Sequence, residues 1–222
     1  MTSPRSKTVD QVVTTIVFAA GSGQRFGSAK QFAVLGHERL VDRVVRIAGL
    51  SSDHIVLVLP TGHRWTGRPV TATVSGGDSH GASVRAGIAV VPTNTDIVVL
   101  ATSSHPLASS SLFRAVIDAV LNGADAATPK GDLGDALKTH EGERISGTVD
   151  KSDLAVAQSP SAFRFEILKR ALVERPEAPE ELQLVEEMSG NVVFVPGEET
   201  NIHITTPVEL EMARLIKDLV AD

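Results

Sequence analysis

The 222-residue chain predicts an α/β domain built on a parallel sheet. Three observations carry this. Apolar runs of strand length, rich in Val, Ile and Leu, alternate with segments whose apolar residues recur at helical spacing. Aromatics make up only 4% of the residues, with no Tyr, which suits strands buried on both faces under helices. Polar loops leave three of the apolar runs, at residues 19–30, 75–83 and 101–106, on the edge where open α/β sheets bind ligands.

Taken in order, Val12 to Phe18 is the first strand and Leu35-Gly36 a turn. Leu40, Val41, Val44, Val45, Ile47 and Ala48 recur at helical spacing, so a helix runs to about Gly49. Ile55 to Leu59 is a strand stopped by Pro60, and Thr61 to Pro69 is a polar loop carrying the single tryptophan, Trp65. Val70 to Val74 is a short strand ending in Ser75-Gly76-Gly77-Asp78, with a helix from about Ala82. Ile97 to Ala101 is the next buried strand, and Thr102-Ser103-Ser104-His105-Pro106 leaves it. Ser109 to Leu121 is helical, with Phe113, Val116, Ile117 and Val120 on one face, and Ala124 to Thr128 is a short strand before Pro129. Gly131 to Gln158 alternates polar and apolar residues among several glycines, predicting an antiparallel excursion. Phe163 to Leu172 is helical, Val192 to Val195 a last strand, and Thr206 to Leu219 a C-terminal helix opened by Thr206-Pro207.

Composition narrows the function. A formal charge of −6 provides no basic field for nucleic acid or an anionic membrane, so phosphate chemistry must rely on local cations. Without cysteine there is no disulfide, thiolate metal site or thiol nucleophile, which fits a cytoplasmic protein. Met1 to Gln11 is polar and lacks the apolar core of a signal peptide, and no apolar run is long enough to cross a bilayer.

The loop Ala19-Ala20-Gly21-Ser22-Gly23-Gln24-Arg25-Phe26-Gly27-Ser28-Ala29-Lys30 joins small residues to two cations. Backbone amides of such a loop approach an anion closely, and Arg25 and Lys30 neutralise what the amides hold. It is not a dinucleotide fingerprint, because Gly27 comes one residue too late and no acid follows at the ribose spacing. Nor does Gly-Lys-Ser/Thr close it as a Walker loop. On these residues alone, a tight turn with surface cations and a phosphate site both stay open. In the second loop the Gly76-Gly77 pair lets backbone face a nucleobase that Ser83 can hydrogen-bond; a turn followed by an ordinary N-cap is the simpler alternative.

Ala19 to Gly27 followed by Lys30-Gln31-Phe32 resembles the signature of the 2-C-methyl-D-erythritol 4-phosphate cytidylyltransferases, much of it shared with ribitol-5-phosphate cytidylyltransferases. Ser75 to Asp78 with Ser83-Val84 and Gly87 is similar to the family's cytosine-side motif. Further matches are Asp135-Ala136-Leu137-Lys138, Thr148 to Ser152, Gln158 to Phe163, and Asn201 to Pro207 with Glu209-Leu210. The resemblance implies a Rossmann-like nucleotide-diphospho-sugar transferase fold, a GT-A-like three-layer sandwich with a mostly parallel sheet, as a single domain over residues 1–222. It implies a protruding β-arm at residues 134–158, exchanged between the subunits of a homodimer. The activity implied is transfer of CMP from CTP to a sugar-alcohol phosphate with release of pyrophosphate, in isoprenoid precursor synthesis. Mg²⁺ is expected with CTP, near the third loop. Arg25 and Lys30 match the cations on the triphosphate, and Ala19, Ala20, Gly21, Ser22, Gly23, Gly77, Asp78 and Ser83 match the nucleotide cradle, with Thr102 beside it. Lys151 stands where the family's Arg meets the acceptor phosphate. His105 and Ser159 fall on the acceptor side, and His203 at the Lys of the terminal motif.

The departures cluster. Thr102 replaces the metal-side Asp, and a hydroxyl is a poor substitute for a carboxylate on a hard cation. His80 and His105 replace arginines and His203 a lysine, so three permanent charges become titratable. The acidic T-D-D motif is missing, with Glu180 and Glu181 nearby. Two alternatives to an active enzyme remain open: a paralogue that binds nucleotide or sugar phosphate as a regulatory or partner subunit, and a metal-binding module in which His80, His105 and His203 converge on one cation. His37, His54, His63 and His140 lie in polar contexts and read as surface residues.

Overall fold

The computed structural model describes residues 11–174 and 180–219, so the polar N-terminal segment lies almost wholly outside the described residues. In chain order the elements are β1 (Val13–Phe18), β2 (Val34–Leu35), β3 (Glu38–Arg39), α1 (Leu40–Ala48), β4 (His54–Leu59), β5 (Ala72–Ser75) and α2 (His80–Ile88). They continue with β6 (Ile97–Thr102), α3 (Ser110–Leu121), β7 (Ala126–Gly131), β8 (Lys138–Glu141), β9 (Arg144–Thr148), β10 (Val156–Ala157) and β11 (Ser161–Arg164). The last are α4 (Phe165–Glu174), α5 (Glu181–Glu187), β12 (Val192–Pro196) and α6 (Pro207–Ile216).

β1 is central because its residues have apolar partners on both sides. It runs parallel to β4 and β6, with Ile16 opposite Val56 and Leu100. β5 extends the parallel sheet beyond β4. On the other flank β11 runs antiparallel between β6 and β7, and β12 pairs with β7 in parallel. The period-two alternation of strand side chains divides the apolar residues between two faces. Val17, Leu57 and Val99 meet Val41, Val44 and Val45 of α1 and Phe113 and Val116 of α3. Ile16, Val56 and Val98 share the opposite layer with Phe165 and Leu168 of α4 and Leu182 and Val185 of α5. A smaller cluster, Leu35, Leu40, Leu107, Ile204, Leu210 and Ala213, seats α6 against the loop that follows β6.

Three boundaries differ from the sequence expectation. Phe163 lies in strand β11, opposite Val98 and Ala126, and the helix begins at Phe165. β7 does not stop at Pro129: the proline needs no N–H here, and its carbonyl accepts from Gln158 N at 2.9 Å. Helix α2 begins at His80, capped by Ser79, whose Oγ accepts from Ala82 N at 3.1 Å, so Ser83 is not the cap. The antiparallel excursion is present as the β8–β9 hairpin, a separate two-stranded sheet with Ile145 64% exposed. Among the described residues no helix is long and apolar enough to cross a membrane.

Candidate active site

Three backbone hydrogen bonds draw the strand-end loops into one rim. Ala19 N donates to Val58 O at 2.8 Å, Gly76 N to Leu59 O at 2.8 Å, and Ser103 N to Phe18 O at 3.0 Å. Above this rim lies a crevice of about 750 Å³, lined by Ala20 to Arg25, Lys30, Gly77 to His80, Ser83 and Thr102 to Ser104, with Phe18, Gln31 and Thr205. The crevice sits on the C-terminal edge of a mostly parallel sheet, where such folds hold ligands.

The glycines set the spacing of its walls. Gly23 adopts φ +66°, and a Cβ there would lie 1.8 Å from Ser28 O. A Cβ on Gly76 would lie 2.4 Å from the Ala20 methyl and 2.9 Å from Ser83 Oγ. That close approach lets Ser83 Oγ accept from Gly77 N at 3.1 Å, tying α2 to the second loop. Gly76→Ala would wedge the first two loops apart, and overpacking of this kind costs about 1–3 kcal/mol. If that cost falls on the bound state, CTP titration should show affinity falling by about 5- to 150-fold. Unchanged affinity would mean that the two loops act independently.

Arg25 and Lys30 reach the crevice from short helical turns at Gln24–Phe26 and Lys30–Phe32. Lys30 Nζ donates to Ile204 O at 2.5 Å, and Ile204 N donates to Ser104 O at 2.8 Å. The first loop, the terminal motif and the third loop are thereby joined through one lysine. Burial, and then the charge of Arg25, push the Lys30 pKa down, while Glu209 pulls it up. A bound polyanion would reverse that depression.

In the third loop Thr102 N donates to Ser159 Oγ at 3.2 Å, and Thr102 Oγ1 accepts from Ser104 N at 3.2 Å. Thr102 therefore braces its own loop, and among the described residues Asp78 is the one carboxylate on the crevice lining. Among the same residues no group of three His, Cys, Asp or Glu side chains is placed to hold a metal. The described lining, with its one carboxylate, does not form a divalent site held by protein groups alone.

The histidines divide into two arrangements, so the alternative in which all three converge on one cation is not supported. His105 and His203 stack with ring centroids 4.7 Å apart and planes 15° apart. His105 Nδ1 is buried without a hydrogen-bond partner. Burial, then His203 and Lys30, push the His105 pKa down to about 3; burial, then Lys30 and Arg25, lower that of His203. These shifts favour the neutral imidazole in both rings, so without a bound polyanion neither replaces a lost cation. His80 is separate: it pairs with Glu181 at 3.0 Å and meets the Phe18 ring edge-on.

The structure brings Ala20, Gly21, Ser22, Gly23, Arg25, Lys30, Gly77, Asp78, Ser83 and Thr102 to the crevice. Ala19 is buried beneath it, and Ser159 supports Thr102 from behind. His105 and His203, also expected at the site, are not on the crevice lining; they stack on each other behind Lys30. Lys151 does not reach the crevice of its own chain: its Nζ donates to the carbonyls of Leu133, Gly134 and Asp135 at 2.7, 2.9 and 3.3 Å. Gln31 and Thr205 line the crevice although sequence reasoning assigned them no role. Their place in the Lys30-Gln31-Phe32 and terminal motifs was the available signal.

With this geometry in place, the family model described as 2-C-methyl-D-erythritol 4-phosphate cytidylyltransferase matches residues 13–218. The chain belongs to this family. The enzyme of that name from Rubrobacter xylanophilus is 33% identical over 216 residues, covering 90% of this chain and 93% of that one. The Roseobacter denitrificans enzyme is 32% identical, with 92% and 96% covered. The crystal structure of the Thermus thermophilus enzyme superposes with a TM-score of 0.81 at 25% identity, covering 94% of this chain and all of that one. The sheet and helix layers described above are those of the cytidylyltransferase fold.

Proposed function

We propose that this cytidylyltransferase-family chain transfers CMP from CTP to 2-C-methyl-D-erythritol 4-phosphate and releases pyrophosphate. The observation that carries the reading is the meeting of Arg25 and Lys30 with a glycine-walled crevice at the ends of β1, β5 and β6. Relatives named for this activity support the same substrates here.

In the reaction an acceptor phosphate oxygen attacks the α-phosphorus of CTP in line with the bond to pyrophosphate. One P–O bond forms, the α–β bridging bond breaks, and pyrophosphate leaves with the electron pair. The attacking oxygen is already ionised, so no side chain has to accept a proton. Catalysis is then positioning plus compensation of charge on the phosphate oxygens. Arg25 and Lys30 supply that charge, and the loop amides around Gly21 to Gly23 approach the phosphates. Ala19 and Ala20 floor the cradle, while Gly77, Asp78 and Ser83 face the nucleoside. Thr102 and the loop carrying His105, braced by Ser159, wall the acceptor side, with His203 stacked beside it.

Mg²⁺ enters as part of the nucleotide substrate, because the described lining offers one carboxylate. The 134–158 arm, with Ile145, Leu154 and Val156 exposed, suits a homodimer that covers these apolar side chains. Lys151, bonded to three carbonyls, fastens the base of that arm. A chain without cysteine is compatible with a reducing compartment such as the cytoplasm.

Pyrophosphate release from CTP tests the reading, with methylerythritol phosphate or ribitol phosphate as acceptor and with or without Mg²⁺. Release should require Mg²⁺ and favour methylerythritol phosphate. No release above a Lys30→Ala background with either acceptor would overturn it.

A further inference from the structure

His80 is the first residue of α2 and is on the crevice lining, with its side chain 56% exposed. Nε2 lies 3.0 Å from Oε1 and 3.2 Å from Oε2 of Glu181, a residue only 9% exposed. A carboxylate so far removed from water needs a charged or strongly donating partner, and His80 provides it. From β1 the Phe18 ring meets the imidazole edge-on at 5.7 Å, contributing no charge. From α5 and its cap come Glu181 and Glu180, the charges that act on the imidazole. On α2 itself the Arg85 guanidinium lies over the neighbouring Gly81. The hydrogen bond donated to Glu181 comes first, and with the charges of both glutamates it outweighs burial and holds the His80 pKa above its ordinary value.

The imidazolium carries an N–H on each nitrogen. With Nε2 given to Glu181, the Nδ1–H is the donor left for a ligand. Without His80 the charged residues of the described lining are Arg25, Lys30 and Asp78, a net of one positive charge facing a triphosphate. We infer that His80 is an additional cation of the nucleotide site, donating from its imidazolium to the bound nucleotide, with Glu181 as the positioning residue that holds the ring. This rests on the crevice being the CTP site. Nucleotide affinity therefore depends on one proton at His80 and weakens as the pH rises through that group's pKa.

The test is calorimetric titration of CTP with Mg²⁺ at pH values from 6 to 9, on wild type, His80→Arg, His80→Gln and Glu181→Gln. The His80→Arg guanidinium stays charged throughout, so dividing by its affinity cancels the titration of CTP and of other residues. Wild-type affinity relative to His80→Arg should fall about tenfold across the range, the loss of one charge-assisted hydrogen bond. His80→Gln should bind weakly at every pH, and Glu181→Gln should move the wild-type fall to lower pH. A ratio that stays flat with pH, or His80→Gln binding like wild type at pH 6, would overturn the inference while CTP binding itself stands. Absence of CTP binding to wild type at every pH would overturn the CTP reading and the inference together.

Discussion

Lys30→Ala lowers kcat/KM for CTP by about 100- to 1,000-fold, the scale seen when one preorganised donor to a transition-state oxyanion is removed. The structure explains why the loss is large. Lys30 is half-buried at the point where the first loop, the loop after β6 and the terminal segment meet, through Ile204 O and the Ile204–Ser104 hydrogen bond. Arg25 lines the same crevice but sits on an exposed turn, so it cannot supply that junction. Steady-state kinetics with methylerythritol phosphate, alongside an unfolding curve, separates chemistry from folding. A variant that unfolds like wild type yet keeps more than a tenth of its activity would remove Lys30 from the transition state.

His105→Phe makes the protein more resistant to acid. In the folded chain the pKa of His105 is pushed down to about 3 from an ordinary value of 6.5. The unfolded chain therefore binds a proton that the folded chain refuses, and stability falls as the pH drops below 6.5. Between pH 7 and pH 5 this linkage amounts to about 2 kcal/mol, continuing toward pH 3. Phenylalanine keeps a ring to stack on His203 but cannot titrate. Denaturant unfolding at pH 7 and pH 5 should show the wild type losing about 2 kcal/mol more than His105→Phe. Equal losses would mean that the buried ring takes up its proton in the folded state, contrary to its unpartnered Nδ1 and cationic surroundings.

Legibility in the sequence followed the range of the interaction. The first loop was readable because small residues, two cations and a preceding apolar strand are contiguous, and so was α1, with six buried residues at helical spacing. Phe163 misled because its strand is four residues long and runs directly into a helix, leaving no break in the apolar pattern. Pro129 misled because a proline ends a strand only when its missing N–H matters there. The histidines were visible as replacements but not as structures. His80 and Glu181 are 101 residues apart, and His105 and His203 meet only because α6 and the loop after β6 share an apolar cluster. The chemistry of the individual residues was legible; which imidazole would be charged was not, since that depends on neighbours distant in sequence.

The most direct measurement follows the α-phosphorus itself. CTP labelled at that atom is incubated with methylerythritol phosphate, Mg²⁺ and either wild type or Lys30→Ala, and the products are separated. With a crevice that positions CTP for in-line attack, the label moves from CTP into a diphosphate-linked acceptor, one equivalent for each pyrophosphate released, and Lys30→Ala nearly abolishes the transfer. Label that stays in CTP, or that reaches the acceptor equally well with Lys30→Ala, would contradict a cytidylyl-transfer site built on this loop.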